Sequence, residues 1–246
     1  MTSSIKKILL DRTTGKKYYV KDLHQDFLTP QGLLQKKDLS GKKREILSDQ
    51  NKPFFLLDPS FPDLWESLQR GPQMLLQKDI GLILAKTGVN KNSIAVDAGG
   101  GSGSLCLSLA NVCKHVTVYE TNPEHYAIVA KNAKMAGIDT ITVKQENIYE
   151  GIAEKEVDLL TLDLPEPWKA IPPAEKALKI GGHLVVYLPN LLQVKQFREA
   201  AKETGITVLE TIELLERKWK IEGQIMRPEF EMLGHTGFLT FCRKWH

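Results

Sequence analysis

VDAGGGSGSL, residues 96–105, sits between an apolar run, NSIAVD, and a helical pattern, SLCLSLANVC. The order is strand, glycine turn, helix. Glycine lets a backbone approach a ligand closely and take up positive φ. Here Gly99, Gly101 and Gly103 alternate, and Ser104 stands where the dinucleotide fingerprint would place its third glycine. The spacing favours S-adenosylmethionine over NAD as the ligand of this loop.

Working outward, apolar runs rich in β-branched residues alternate with helical patterns from about residue 89. NSIAVDAGG, HVTVYE, TITVKQEN, VDLLTLDL and GHLVVYLP read as five strands. Between them, SLCLSLANVC, PEHYAIVAKNAKMAG, KAIPPAEKALKIGG and NLLQVKQFREAAKETG carry apolar residues at three- and four-residue spacings, with Gly137, Gly181 and Gly205 as C-terminal stops. This is βαβ repetition, hence a mostly parallel sheet covered by helices. After residue 205, ITVLETIELLERKWKI and GHTGFLTFCRKW lack a crossover helix and predict two long antiparallel edge strands. The expected class is α/β, a Rossmann-like seven-stranded sheet with antiparallel C-terminal strands. Residues 1–62, with short extended runs such as KKYYV and KPFFLL, read as a small β-rich domain in front of a catalytic domain over 63–246. FPDLWESLQRG and QMLLQKDIGLILAKTG read as helical links between the two.

Two strand ends carry acids that suit a nucleoside ligand. Glu120, 23 positions after Asp97, ends the second strand, where a carboxylate can accept hydrogen bonds from both ribose hydroxyls. Asp97, at the mouth of the glycine loop, could hold the amino group of the methionine moiety. Helix capping or surface charge is the plain alternative for each. LDLPEPW, 162–168, ends the fourth strand. Pro165 and Pro167 cannot donate to a ladder, so the chain leaves the sheet there with Asp163 facing the switch point of the sheet. Trp168 offers a flat wall to a substrate. The competing reading makes Asp163 a helix cap and Trp168 a core residue.

Composition narrows the class further. The 246 residues are 42% hydrophobic and 26% charged, and no apolar run reaches the roughly 18 residues of a membrane span. No membrane partner and a cytoplasmic location are expected, because the first residues lack a signal-peptide pattern. Three cysteines, Cys106, Cys113 and Cys242, share no metal-ligand spacing, so no metal site is expected. Net charge is +3, and residues 1–70 hold 13 Lys and Arg against 9 Asp and Glu, leaving 20 against 21. That excess suits a polyanion, although a solvated surface explains it equally.

At this level the chain resembles the tRNA adenine-N1 methyltransferases of the T-loop, of the bacterial and archaeal homo-oligomeric type. The resemblance covers nearly the whole chain. It rests on GLLQKKDLSGKK, FFLLDPSFPDLWESLQRGPQ, the KD of QMLLQKDIGLIL, DAGGGSG, YE at 119–120, LDLPEPWK, VVYLPNLLQV and RPEFEMLGHTGFLTFCRKW. RGPQ, LDLPEPW and GHTGFL are far more specific than the glycine loop. The resemblance implies a class I S-adenosylmethionine-dependent methyltransferase acting on T-loop adenine 58, or on 57 and 58, and a homotetramer. It implies Asp163 as the catalytic residue, accepting a hydrogen bond from the adenine N6 amino group. It places the cofactor against Asp97, Gly99, Gly101, Ser102, Gly103, Ser104, Glu120, Asp163 and Asn147, where Asn147 replaces the family's usual Asp. Leu76 and Gln77 also depart from the family's aromatic or His followed by Pro. Arg227 and His235 are implied to approach the RNA or its base, and Lys36, Lys37, Lys42, Lys43 and Arg44 its phosphates.

Rival classes stay in view: a methyltransferase of the same sheet acting on a protein or small molecule, a non-catalytic tRNA-binding subunit, and a dehydrogenase. The glycine spacing opposes the last. Retention of the glycine loop and Asp163 opposes the non-catalytic subunit.

Overall fold

The computed structural model describes residues 5–71 and 74–246. Pro72 and Gln73 of the RGPQ motif lie outside the described residues. The chain divides into two compact units, residues 1–69 with 131–139, and residues 70–130 with 140–246. This boundary lies beyond the one expected at residue 62, and the reason is visible in the contacts. Lys17 pairs with Asp63 at 2.8 Å and Glu66 at 3.2 Å, and the Tyr19 hydroxyl donates to Glu66 at 3.0 Å. The Asn132 side chain joins the same unit by accepting from the Gln69 amide and donating to the Gln69 carbonyl, both at 3.0 Å.

The front unit is β-rich. Its elements are β1 (Lys7–Asp11), β2 (Lys17–Val20), β3 (Phe27–Thr29), β4 (Gly32–Leu34), α1 (Lys36–Leu39), β5 (Glu45–Leu47), β6 (Pro53–Leu57) and α2 (Phe61–Glu66). β2-β1-β6-β5 form an antiparallel sheet, and β3 and β4 a separate hairpin. Alternation along these strands buries Leu9, Val20, Ile46, Phe54 and Leu56 in one small core with Leu34 and Leu39. α2 starts where the Asp63 carboxylate accepts from the Ser60 amide at 3.0 Å and the Ser60 hydroxyl at 2.6 Å.

The second unit carries the sheet that positions the site. Its elements run α3 (Gln77–Thr87), β7 (Ile94–Ala98), α4 (Ser104–Ala110), β8 (His115–Tyr119), α5 (Pro123–Ala136, counted with the front unit from residue 131), β9 (Ile141–Lys144), β10 (Val157–Leu162), α6 (Ile171–Ala177), β11 (Leu178–Leu188), α7 (Leu191–Ala201), β12 (Ile206–Ile212), β13 (Trp219–Glu222), β14 (Ile225–Pro228) and β15 (Phe238–Lys244). Seven strands form one sheet in the order β12-β15-β11-β10-β7-β8-β9. β11, β10, β7, β8 and β9 are parallel, and β15 runs antiparallel between β11 and β12. The chain starts in the middle at β7, winds to one edge, then crosses to β10. This puts the switch point between the carboxyl ends of β7 and β10. Val96, Leu160, Leu162, Leu184 and Val186 are fully buried around it, so these strand ends are rigid.

Three expectations are corrected. Residues 178–182 belong to β11 and not to a helix: pairing slips between Val157 and Leu159, and Gly181, at φ 79°, takes up the irregularity within the strand. ITVLETIELLERKWKI does not form one edge strand. It stops at Ile212 and resumes as β13, which pairs only with β14 in a separate hairpin. Gly205 likewise serves no helix stop: its amide donates to Glu175 at 2.9 Å, and α7 ends at Ala201. Gly137 and Gly88 do end helices, at φ 68° and 64°.

Candidate active site

A cavity of about 520 Å³ opens at the switch point. Its wall includes Gly99, Gly101, Ser102, Ser104, Glu120 and Asp163, which the sequence reading selected. It also includes Met74, Leu75, His125, Leu164, Tyr187, Pro189 and Thr236, which that reading passed over. The glycines are there for a steric reason. Gly99 has φ 86°, and a Cβ on it would lie 2.1 Å from the Asp163 carbonyl oxygen. A Cβ on Gly100 would lie 2.8 Å from Val118. The amide of Asp163 donates to the Ala98 carbonyl at 2.9 Å, so loop and acid are locked together.

Glu120 organises the other side. Its carboxylate accepts from the Gly101 amide at 3.0 Å and the Asn122 amide at 2.8 Å. A carboxylate offers about four lone pairs, so two remain for ligand hydroxyls. Asp163 is partly buried, and burial raises its carboxyl to about 6. Among the described residues no donor is hydrogen-bonded to that carboxyl. It is therefore an acceptor turned to the cavity, in surroundings that strengthen any bond it makes.

Several selected residues lie elsewhere. Asp97 is buried behind the wall, with the Thr161 hydroxyl donating to it at 2.5 Å. Burial raises it to about 7, opposed by the Thr161 bond and reinforced by the charges of Asp163 and Glu120. Gly103 also sits behind the wall, at φ 88° at the start of α4. Asn147 lines a neighbouring cleft of about 700 Å³ with Gln145 and Glu146, a cleft that shares Thr121 with the first. Its oxygen accepts from the Tyr149 amide at 3.0 Å, because Asn147 caps a short 3-10 turn, and one lone pair remains. Trp168 is partly buried, packs against the core of the sheet and does not line the cavity. Arg227 stacks over Phe230 at 3.7 Å and donates to the Pro228 carbonyl. His235 is exposed and bridges Glu213 at 2.5 Å and the Pro189 carbonyl at 2.8 Å, contacts that raise its pKa. Neither residue reaches the cavity wall.

Tyr187 and Thr236 escaped notice because a tyrosine in a strand and a threonine in a turn carry no spacing signal. The available clues were that VVYLP ends a strand as LDLPEP does, and that VVYLPNLLQV and GHTGFL are themselves motifs of the resemblance. Tyr187 is raised to about 12 by burial, against the hydrogen bond it gives to Thr236.

Comparison with known proteins gives the family of the chain. Residues 53–226 match the family described as tRNA methyltransferase complex GCD14 subunit. The chain belongs to this family. It is 34% identical to the tRNA (adenine(57)-N(1)/adenine(58)-N(1))-methyltransferase TrmI of Methanocaldococcus jannaschii, covering 96% of the chain and 94% of that protein. It is 30% identical to the tRNA (adenine(58)-N(1))-methyltransferase TrmI of Thermus thermophilus over 76% of the chain and 75% of that protein. Among solved structures, a SAM-dependent O-methyltransferase from Thermotoga maritima is similar at a TM-score of 0.87 and 27% identity, covering 100% of the chain and 95% of that one. The tRNA (m1A58) methyltransferase TrmI from Aquifex aeolicus has the same fold, at a TM-score of 0.81 and 24% identity, covering 100% and 99%.

Proposed function

We propose that the chain transfers a methyl group from S-adenosylmethionine to N1 of adenine 58 in the T-loop of tRNA, with adenine 57 as a second target. The observation that carries this reading is Asp163, an acceptor that has no donor among the described residues, at the mouth of a nucleoside-sized cavity, in a chain 34% identical to a tRNA adenine-N1 methyltransferase along nearly its full length. Gly99, Gly101, Ser102 and Ser104 are assigned to the methionine and ribose side of the cofactor, and Glu120 to the ribose hydroxyls. The glycine turn presents backbone to the cavity, and two of the roughly four lone pairs of Glu120 are not used by the Gly101 and Asn122 amides, so these residues fit the cofactor. When bound, the cofactor supplies an electrophilic methyl group on a sulfonium.

The chain does the rest. Adenine N1 is a weak nucleophile, and its methylation makes the ring cationic until N6 loses a proton. Asp163 accepts a hydrogen bond from N6, raises electron density at N1 and faces the developing charge. Leu164 and Pro165 exclude water beside it. Asp97, close to half-protonated near neutral pH, shapes the loop from behind and is not assigned a cofactor contact.

The rest of the proposal concerns partners and place. The target base must leave its folded T-loop, which costs a few kcal/mol of stacking and pairing. The exposed Lys36, Lys37, Lys42, Lys43 and Arg44 of the front unit are assigned to phosphates. The assembly is a homotetramer in the cytoplasm: Trp219, Ile221 and Met226 of the β13–β14 hairpin are 58, 70 and 72% exposed, an apolar patch that a second copy covers. Light scattering should give four times the chain mass of 27.7 kDa.

The decisive experiment is methyl transfer from labelled S-adenosylmethionine to an unmodified tRNA transcript, mapped by nucleoside mass spectrometry and reverse-transcription stops. N1-methyladenosine at 58, absent with Asp163→Ala, is the expected result. Cofactor binding without tRNA methylation by the unaltered protein would overturn the reading.

A further inference from the structure

Lys78 and Asp79 form an ion pair inside the second unit, with side chains only 8 and 1% exposed. Lys78 Nζ donates to both Asp79 oxygens, at 2.8 and 2.9 Å, and to the Thr236 hydroxyl at 2.8 Å. That hydroxyl donates in turn to Asp79 Oδ2 at 3.3 Å. An ammonium only donates and a carboxylate only accepts, so the Thr236 hydroxyl has one orientation open to it. The chain of contacts then continues through the Thr236 carbonyl, which accepts from the Tyr187 hydroxyl at 2.5 Å. The turn also lies against the tyrosine ring, since a Cβ on Gly237 would be 2.5 Å from it.

These contacts end beside the acid. Leu162 of β10 pairs with Val186 of β11, so Asp163, the first residue past β10, lies beside Tyr187 near the end of β11. Asp163, Tyr187 and Thr236 line the same cavity. Burying an ion pair is costly, and apolar residues of similar volume often stabilise a fold as well or better. Stability alone therefore gives no reason for charges here, whereas a fixed direction for Thr236 does.

We propose that Lys78 and Asp79 are positioning residues for the methyl transfer: they fix the Thr236 turn and, through its carbonyl, the Tyr187 ring, so that the wall beside Asp163 holds the target adenine in line. This rests on the function proposed above. The pair touches neither ligand. Its effect belongs in the turnover of bound substrate, where a displacement of about 1 Å can cost roughly 100-fold.

The test compares steady-state methylation of tRNA transcript by the unaltered protein, Thr236→Val, Thr236→Ser and the charge-free pair Lys78→Met with Asp79→Leu. Calorimetric S-adenosylmethionine affinity and thermal melts are taken alongside. Thr236→Val and the charge-free pair should lower kcat roughly 10- to 100-fold while cofactor Kd stays within about threefold, and Thr236→Ser should recover most of the loss. Turnover within about twofold of the unaltered protein in Thr236→Val, or turnover lost only in step with cofactor affinity or folded fraction, overturns the positioning role. Thr236→Val removes no charge, so it decides the matter even if the charge-free pair fails to fold. An unaltered protein that leaves tRNA unmethylated sinks the function and the positioning role together. Unaltered turnover that the variants do not change sinks the positioning role alone.

Discussion

Asp163 and Asp97 show burial put to two uses. The proposed acceptance from N6 needs Asp163 ionised, and its pKa is raised to about 6. The active form is therefore lost on acidification: kcat/KM should climb about tenfold per pH unit below 6 and level off above it. Asp163→Asn turns one acceptor oxygen into a donor. It should cost roughly 10²- to 10⁴-fold in kcat and abolish the acidic limb, a profile measurable with labelled cofactor. An Asn variant of full activity would remove Asp163 from the mechanism. Asp97, raised to about 7, acts on stability instead. Its folded pKa lies above its unfolded one, so the folded state binds the proton more tightly. The stability this contributes is whole below about pH 4 and is lost as pH rises through 7. Urea unfolding at pH 5 and pH 8 should show the protein weaker at pH 8, with Asp97→Asn removing much of the difference.

Elements defined by local chemistry were legible in the sequence, and those defined by distant pairing were not. β7, its glycine turn and α4 follow from residues 94–110 alone, because positive φ at Gly99, Gly101 and Gly103 is a local demand. The strand tips bearing Glu120 and Asp163 follow from the same alternation. The break after Ile212 does not, since β12 is held by β15 and β13 by β14, and apolar alternation runs on through both. Asn147 shows a related effect: a residue at a strand end also caps its own turn. The glycine turn yields the sharpest test of a local demand. Gly99→Ala would drive a methyl group into the Asp163 carbonyl and hold alanine at a φ that costs roughly 1–2 kcal/mol. Cofactor affinity by calorimetry should fall at least about tenfold while the melt still shows a folded protein. Unchanged affinity would mean that the β7–β10 junction yields more readily than its packing suggests.

On the proposed function, charge divides the task along the chain. The excess of 13 Lys and Arg over 9 Asp and Glu lies in residues 1–70, while the remainder is balanced at 20 against 21. A balanced catalytic unit gains little long-range attraction for a polyanion, so the proposed function assigns recruitment of tRNA to the front. Lys42, Lys43 and Arg44 are exposed there and line a cleft of about 600 Å³ with Lys7 and Ser60. Each phosphate a side chain neutralises releases about one counterion, so the triple change Lys42→Ala, Lys43→Ala, Arg44→Ala should flatten the dependence of log affinity on log salt by up to about three. The same variant should raise KM for tRNA several-fold at low salt and leave S-adenosylmethionine affinity untouched, because no residue of the cofactor cavity is altered. Filter binding across a salt series, paired with cofactor calorimetry, separates these effects. A parallel shift of the binding curve with unchanged slope would instead assign these cations to folding of the front unit, and a drop in both affinities would mean that the catalytic unit itself had been disturbed.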